Sequence, residues 1–375
     1  MNIFIDGLIF GRQKWGGISR MWEEYLVRLP TYVSKLKLLI PFRCNNRSLS
    51  NILEHKEDFQ VAADYFYWPV RYFERIPVRS KILRFLYVDD SIDLFHSTFF
   101  STLYKKNIKK IVTVHDMIPE LFQKKLADKW NDLEIIKKRE TLKNADKIIA
   151  VSQNTRKDLL RFYPWIPGDK IEVIHHGLLP GTDNHVSLNE ICRKYFLDIE
   201  PGNYFLYVGN RNIYKNFQIL VTLVEKKAGY RDALFLCVGG GKADQTIKIL
   251  EEKNQVKNFI FIDYVSDDEL AALYRDASAL VFPSTYEGFG LPVLEAMAHE
   301  CPVVCSGVSS LPEVGGDAAF YFDPDSIESL DDALKRLSKT DRKKVIRKGK
   351  QNADRFSWER STKKLVKIYK EIISD

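Results

Sequence analysis

ALVFPSTYEGFGLPVLEAMA, residues 279–298, sets a short apolar run against a polar loop and then a helix-forming segment. The run has the length and continuity of a strand buried on both faces. Pro292 falls where the first helical turn starts, a place that suits its fixed φ and missing donor. This strand–loop–helix unit is the building block of a parallel sheet. The same alternation recurs along the chain.

Strand-length apolar runs are predicted at 2–6, 36–41, 92–96, 111–115, 147–151 and 171–174. A second series follows at 204–208, 233–238, 259–262, 279–282, 302–305 and 319–322. Helical patterns separate them, so both series read as parallel sheets joined by right-handed crossovers. The pattern restarts at Pro201-Gly202-Asn203, which places a linker at about 178–203 and domains at 1–200 and 201–356. The segment 357–375 carries apolar residues at helical spacing and reads as a terminal helix packing back on the N-terminal domain. The expected class is α/β, with two Rossmann-like, doubly wound domains facing a central cleft. Ligands of such sheets bind beyond the carboxyl ends of the strands, which directs attention to Asp6, His96, His115, Gly209 and Pro283.

Length and composition agree. A chain of 375 residues exceeds one ordinary core, and 45% hydrophobic with 29% charged residues is ordinary for a globular protein. The net charge of +7 is dispersed, which argues against a nucleic-acid partner and suits an anionic substrate or an anionic membrane surface. Five scattered cysteines read as reduced buried thiols, and hence as a cytoplasmic protein. The first ten residues read as a strand rather than a signal peptide, and nothing approaches the length of a membrane span.

Within the opening stretch, Gly288, Phe289, Gly290 and Leu291 present backbone amides at the positive end of the following helix. Such amides can bind sugar hydroxyls or phosphate oxygens. Glu287 in the loop and Glu295 in the first helical turn can each accept from a diol. The plain alternative is a glycine loop followed by a dipole-favoured acid. Upstream, YVGNRNIYK puts Arg211 and Lys215 after a strand end, where two cations can neutralise a leaving diphosphate or simply be solvated. Tyr264 and Val265 border a further strand end. Gly16-Gly17 precedes an amphipathic helix and allows a phosphate close approach to backbone amides. His115 ends a strand, as does His96. VGGGKAD at 238–244 lacks the spacing of a dinucleotide fingerprint and reads as a turn. Asp323-Pro324-Asp325 reads as a turn rather than a metal site.

The E-x7-E string EGFGLPVLE resembles the signature of the family 4 glycosyltransferases, which retain anomeric configuration and have the GT-B fold. That resemblance implies a nucleotide-sugar donor, with GDP-mannose favoured and a UDP-sugar as the alternative, and a glycan or lipid-linked acceptor such as a growing O-antigen. It implies that Glu295 holds the donor ribose, while Glu287 and the amides from Gly288 to Leu291 hold the transferred sugar and diphosphate. Arg211 and Lys215 would bind the diphosphate, although the family's G-R-x-x-x-x-K is here one residue shorter. Tyr264 and Val265 would border the base. Gly16 and Gly17 would close over the phosphates and His115 would orient the sugar. No cofactor and no metal are expected. An aromatic and arginine-rich stretch at 64–88, with Lys105, Lys106, Lys109 and Lys110, is either a helix pair on the core or a peripheral membrane contact spanning 64–110. A two-domain ligand-binding protein and a nicotinamide dehydrogenase are the competing classes.

Overall fold

A computed structural model describes the chain except for residues 14–15, 41–51, 53–59, 64–90, 127–128, 179–185, 241–249, 254 and 375. It divides into two compact units. One comprises Met1–Gly177 with Ser357–Asp375, and the other Leu178–Phe356.

The first unit is built on seven parallel strands: β1 (Asn2–Ile5), β2 (Lys35–Ile40), β3 (Gln60–Ala63), β4 (Leu94–Ser97), β5 (Lys109–Val114), β6 (Lys147–Ala150) and β7 (Ile171–Val173). Their order is β3-β2-β1-β4-β5-β6-β7. Strand β3, which pairs Val61 with Leu38 of β2, has no counterpart among the sequence expectations. Helices α1 (Leu8–Arg12), α2 (Gly17–Arg28), α3 (Ile118–Leu121), α4 (Gln123–Leu126), α5 (Lys129–Asn144) and α6 (Gln153–Phe162) connect them. Helix α6 starts at Ser152, whose hydroxyl accepts from the Thr155 amide and so satisfies one of the orphan N–H groups of the first turn.

The second unit holds α7 (Leu188–Tyr195), β8 (Tyr204–Val208), α8 (Gln218–Lys226), β9 (Leu234–Val238), β10 (Phe259–Ile262), α9 (Asp267–Asp276), β11 (Ala279–Phe282), α10 (Leu291–Ala298), β12 (Val303–Ser306), α11 (Leu311–Gly315), β13 (Ala319–Phe322), α12 (Ile327–Ser338) and α13 (Arg342–Ala353). Its six parallel strands run β10-β9-β8-β11-β12-β13. The segment expected as a linker carries α7. A reciprocal Ser187–Glu190 cap starts that helix, and Lys194 and Tyr195 tie it to Glu269 of α9.

The final helix, α14 (Trp358–Ser374), returns to the first unit. Trp358, Leu365, Val366, Ile368, Tyr369 and Ile372 are buried with Trp22, Tyr25 and Leu26 of α2 and Ile3 and Ile5 of β1. Each such side chain contributes about 1.5–3 kcal/mol on burial. Gly177 lies against the start of this helix: a Cβ there would lie 2.0 Å from the Trp358 amide nitrogen.

His96 belongs to the same core. It lies within β4 rather than at its end, 2.6 Å from the Tyr369 hydroxyl and 2.9 Å from the Thr113 hydroxyl, with Trp22 edge-on at 4.7 Å. It ties the terminal helix to the sheet. Cys237, Cys301 and Cys305 are free and buried; burial pushes the Cys301 thiol up to about 12 and the other two higher still. Among the described residues no helix is long and apolar enough to cross a membrane. The 64–88 segment lies outside the described residues, apart from its neighbours Lys105, Lys106, Lys109 and Lys110.

Candidate active site

Strand β8 hydrogen-bonds β9 on one side and β11 on the other. The chain reverses its direction of winding here, and the carboxyl ends of strands at such a switch point are where sheets of this kind bind ligands. The loop leaving β8 carries Arg211 and Lys215, and the loop leaving β11 carries Glu287 through Leu291. Residues remote in sequence are thereby brought together.

Lys215 Nζ donates to Glu287 Oε1 at 2.7 Å, and both side chains are mostly buried, 13% and 12% exposed. Phe282 and Tyr214 present their rings 5.0 and 5.7 Å from the ammonium. The Thr285 amide and hydroxyl both donate to the Tyr214 carbonyl, which stitches the two loops together. At an effective dielectric near 20 a charge pair at 4 Å gains about 4 kcal/mol, and desolvation cancels a large part of it. An incoming anion can therefore share Lys215 at modest cost.

Arg211 is oriented by the turn after β9. Its guanidinium donates to the carbonyls of Gly239 and Gly240 at 2.9 and 3.3 Å and lies over the Phe261 ring at 5.2 Å. VGGGKAD thus supplies carbonyls that hold an arginine; its residues from 241 on lie outside the described set.

The EGFG loop is held from beneath by two serines that the sequence reading passed over. Ser309 Oγ accepts from the Glu287 amide at 3.0 Å. Ser310 Oγ, fully buried, lies 2.9 Å from the Glu287 carbonyl and 2.7 Å from that of Phe289. Gly290 has φ 112° and caps α10, and a Cβ there would sit 2.8 Å from Leu311. Leu291 opens the helix and Pro292 is its second residue, so Glu295 falls in the second turn rather than the first. The reason is that the helix starts at Leu291, directly after the left-handed Gly290 and one residue before Pro292, which sets Glu295 further along it. The Tyr274 hydroxyl donates to Glu295 Oε2 at 3.2 Å. Gly288 and Phe289 complete the loop, and Phe289 packs edge-on against Phe356.

Tyr264 and Val265 follow β10. Val265 is buried, and Tyr264 is half exposed with its carbonyl accepting from the Tyr195 hydroxyl.

In the first unit, Gly16 caps α2 and Gly17 is its first residue; Gln13 Oε1 accepts from the Ser19 amide and Ser19 Oγ donates to the Gly16 carbonyl. His115 directly follows β5. It is 6% exposed, and neither ring nitrogen has a hydrogen-bond partner of good geometry among the described residues. Burial, with a smaller push from Lys138 and against a pull from the Thr98 backbone, lowers it to about 3, so the imidazole is neutral. A neutral ring offers one donor and one acceptor. Asp6, directly after β1, is fully buried and accepts from the Thr98 amide and from the Thr98 and Ser101 hydroxyls, which makes it a structural carboxylate. Among the described residues no three of His, Cys, Asp and Glu gather as metal ligands.

Two family models match the chain: Glycosyltransferase Family 4 over residues 44–178 and Glycosyl transferases group 1 over residues 193–353. The O-antigen chain mannosyltransferase B of Escherichia coli is 33% identical over 62% of this chain and 62% of its own length. The matched stretch is thus about three fifths of that relative. Sucrose-phosphate synthase from Thermosynechococcus elongatus shares the fold at 18% identity with a TM-score of 0.75, covering 99% of this chain and 98% of that one. Anabaena Alr3699/HepE, solved with UDP and glucose, does so at 14% identity with a TM-score of 0.72, covering 98% and 99%. Paired Rossmann-like sheets of this order define the GT-B class. The chain belongs to the family 4, or group 1, glycosyltransferases and resembles bacterial O-antigen mannosyltransferases.

Proposed function

We propose that this protein transfers a hexose, mannose from GDP-mannose, to a glycan or lipid-linked acceptor during bacterial surface polysaccharide synthesis, with retention of configuration. The observation that carries the reading is the Lys215–Glu287 pair between the loops that leave β8 and β11, with Arg211 on the first loop and Glu295 on the helix that follows the second. The mannosyltransferase relative supports the sugar and the pathway.

In this reading Glu295, oriented by Tyr274, accepts from the ribose hydroxyls, and Tyr264 and Val265 border the base. Glu287 and the amides from Gly288 to Leu291 hold the transferred sugar. Arg211 and Lys215 meet the diphosphate, and their charge is felt most as the leaving oxygen becomes anionic. An advantage of even ~1.4 kcal/mol at that stage is about tenfold in rate. Gly16 and Gly17 are assigned to the donor phosphates. His115, held neutral, orients sugar hydroxyls rather than acting as a general base. Retention follows from front-side attack: the acceptor hydroxyl adds to the anomeric carbon on the face the diphosphate leaves, and its proton passes to the departing phosphate oxygen. Two cations supply the charge neutralisation that a metal would otherwise give, so the reaction is expected to proceed in EDTA. The donor class and the free thiols fit a cytoplasmic protein, and a peripheral membrane contact through 64–110 would bring a lipid-linked acceptor within reach.

A UDP-hexose is the second reading, supported by the fold neighbour solved with UDP and glucose. Nucleotide release from GDP-mannose and from UDP-hexoses, measured with purified protein, decides between them; turnover of UDP-sugars alone overturns the mannose assignment.

A further inference from the structure

We propose that Lys138, on α5, is a positioning residue for the transfer reaction, holding the turn that carries His115 through a buried Tyr163–Glu120–Lys138 chain. The inference rests on the role proposed above for His115.

Lys138 is fully buried. A lysine pays a large desolvation cost in such a place unless it is paired and hydrogen-bonded. Its ammonium donates to Glu120 Oε2 at 2.8 Å and to the Asp116 carbonyl at 3.2 Å. Glu120, whose side chain is 6% exposed, receives the Tyr163 hydroxyl on its other oxygen at 2.6 Å. The Asp116 carbonyl belongs to the residue that follows His115, and Asp116 Oδ1 accepts from the Ile118 amide two residues on. The turn leaving β5 is therefore gripped by a charge from a separate helix. The Phe100 ring lies 5.0 Å from the same ammonium and closes the site on another side. A hydrophobic side chain of similar length would fill this space without the desolvation penalty, so packing alone does not account for a lysine here.

The groups around His115 are Lys138 from α5, the Thr98 backbone after β4, His96 within β4, and His176 after β7. Lys138 is the one permanent charge named among them. Its placement fixes the height of the His115 ring at the strand end and opposes protonation of that ring.

The pair Glu120→Gln/Lys138→Met removes both charges together, so that no unpaired buried ion is left to unfold the protein. The double variant is expected to melt within a few degrees of wild type and to lower kcat about tenfold. Donor KM should stay within about twofold. Tyr163→Phe, which deletes one hydrogen bond, gives the same split at smaller size. Lys138→Met alone removes the charge that opposes protonation of His115, and the imidazole, followed by nitrogen-15 NMR, should titrate higher than in wild type. A folded double variant with wild-type kcat and an unmoved His115 resonance would overturn the assignment. If wild type turns over no sugar nucleotide, the transferase reading fails, while the resonance and the titration still judge Lys138.

Discussion

The Lys215 ammonium lies 2.7 Å from Glu287 Oε1, across a separation of 72 residues. The family resemblance implies a diphosphate role for the lysine, and for the glutamate, with the amides after it, a role at the transferred sugar and the diphosphate. Their pairing means that each sets the other's position. Lys215→Met strands a mostly buried carboxylate, and a loss of about 2 kcal/mol in stability is expected. Lys215→Met/Glu287→Gln should lose less than either single change. Each single change should lower kcat by about 100-fold. Thermal melts and steady-state kinetics of the three variants close the cycle; strict additivity in both would show that the pair is not coupled.

Gly290→Ala tests the loop itself. A side chain at φ 112° is strained, and its Cβ would sit 2.8 Å from Leu311. A cost of about 1–3 kcal/mol and a raised donor KM are expected. Ser310→Ala should raise KM in the same direction, because the carbonyls of Glu287 and Phe289 lose their shared donor. Calorimetry and donor titration measure both.

His96 and His115 should separate stability from activity. His96→Leu removes two hydrogen bonds from the core, with Tyr369 and Thr113 left behind, and is expected to cost about 2–4 kcal/mol. His115→Ala should cost less stability and far more rate. The comparison needs only a melt and an initial rate for each.

Acid should unfold the first unit before the second. Burial lowers His96, His115 and His176 from 6.5 to about 3. A depressed histidine leaves the unfolded chain binding more protons between those values, so stability falls as pH drops below about 6 and is complete above it. The slope is about 1.4 kcal/mol per pH unit for each histidine fully in that window. Hydrogen exchange at pH 5 and pH 7.5, read separately over the two units, measures it.

Much of the fold is legible in the sequence. The runs at 204–208, 259–262, 279–282 and 319–322 are continuous and apolar because parallel strands are covered on both faces, and they coincide with β8, β10, β11 and β13. Strand β3, at Gln60–Ala63, was not legible: a four-residue edge strand with a polar first residue carries too little pattern. Glu295 lies beyond the first turn because the helix begins at Leu291, one residue before the Pro292 start that the proline suggests; the left-handed Gly290 that sets this start is a backbone property that spacing does not reveal. Ser309 and Ser310 could have been suspected as a hydroxyl pair before a helix. The Lys138 chain had no signal, since its partners stand 18 to 22 residues away on other elements.

The central claim is that a nucleotide diphosphate binds at the β8–β11 switch point with Glu295 on its ribose. Isothermal titration of GDP and UDP into wild type and Glu295→Ala tests it most directly. Micromolar binding of one nucleotide, weakened at least about tenfold by Glu295→Ala, is the predicted result. Equal affinity in the two proteins, or binding of neither nucleotide, would contradict it.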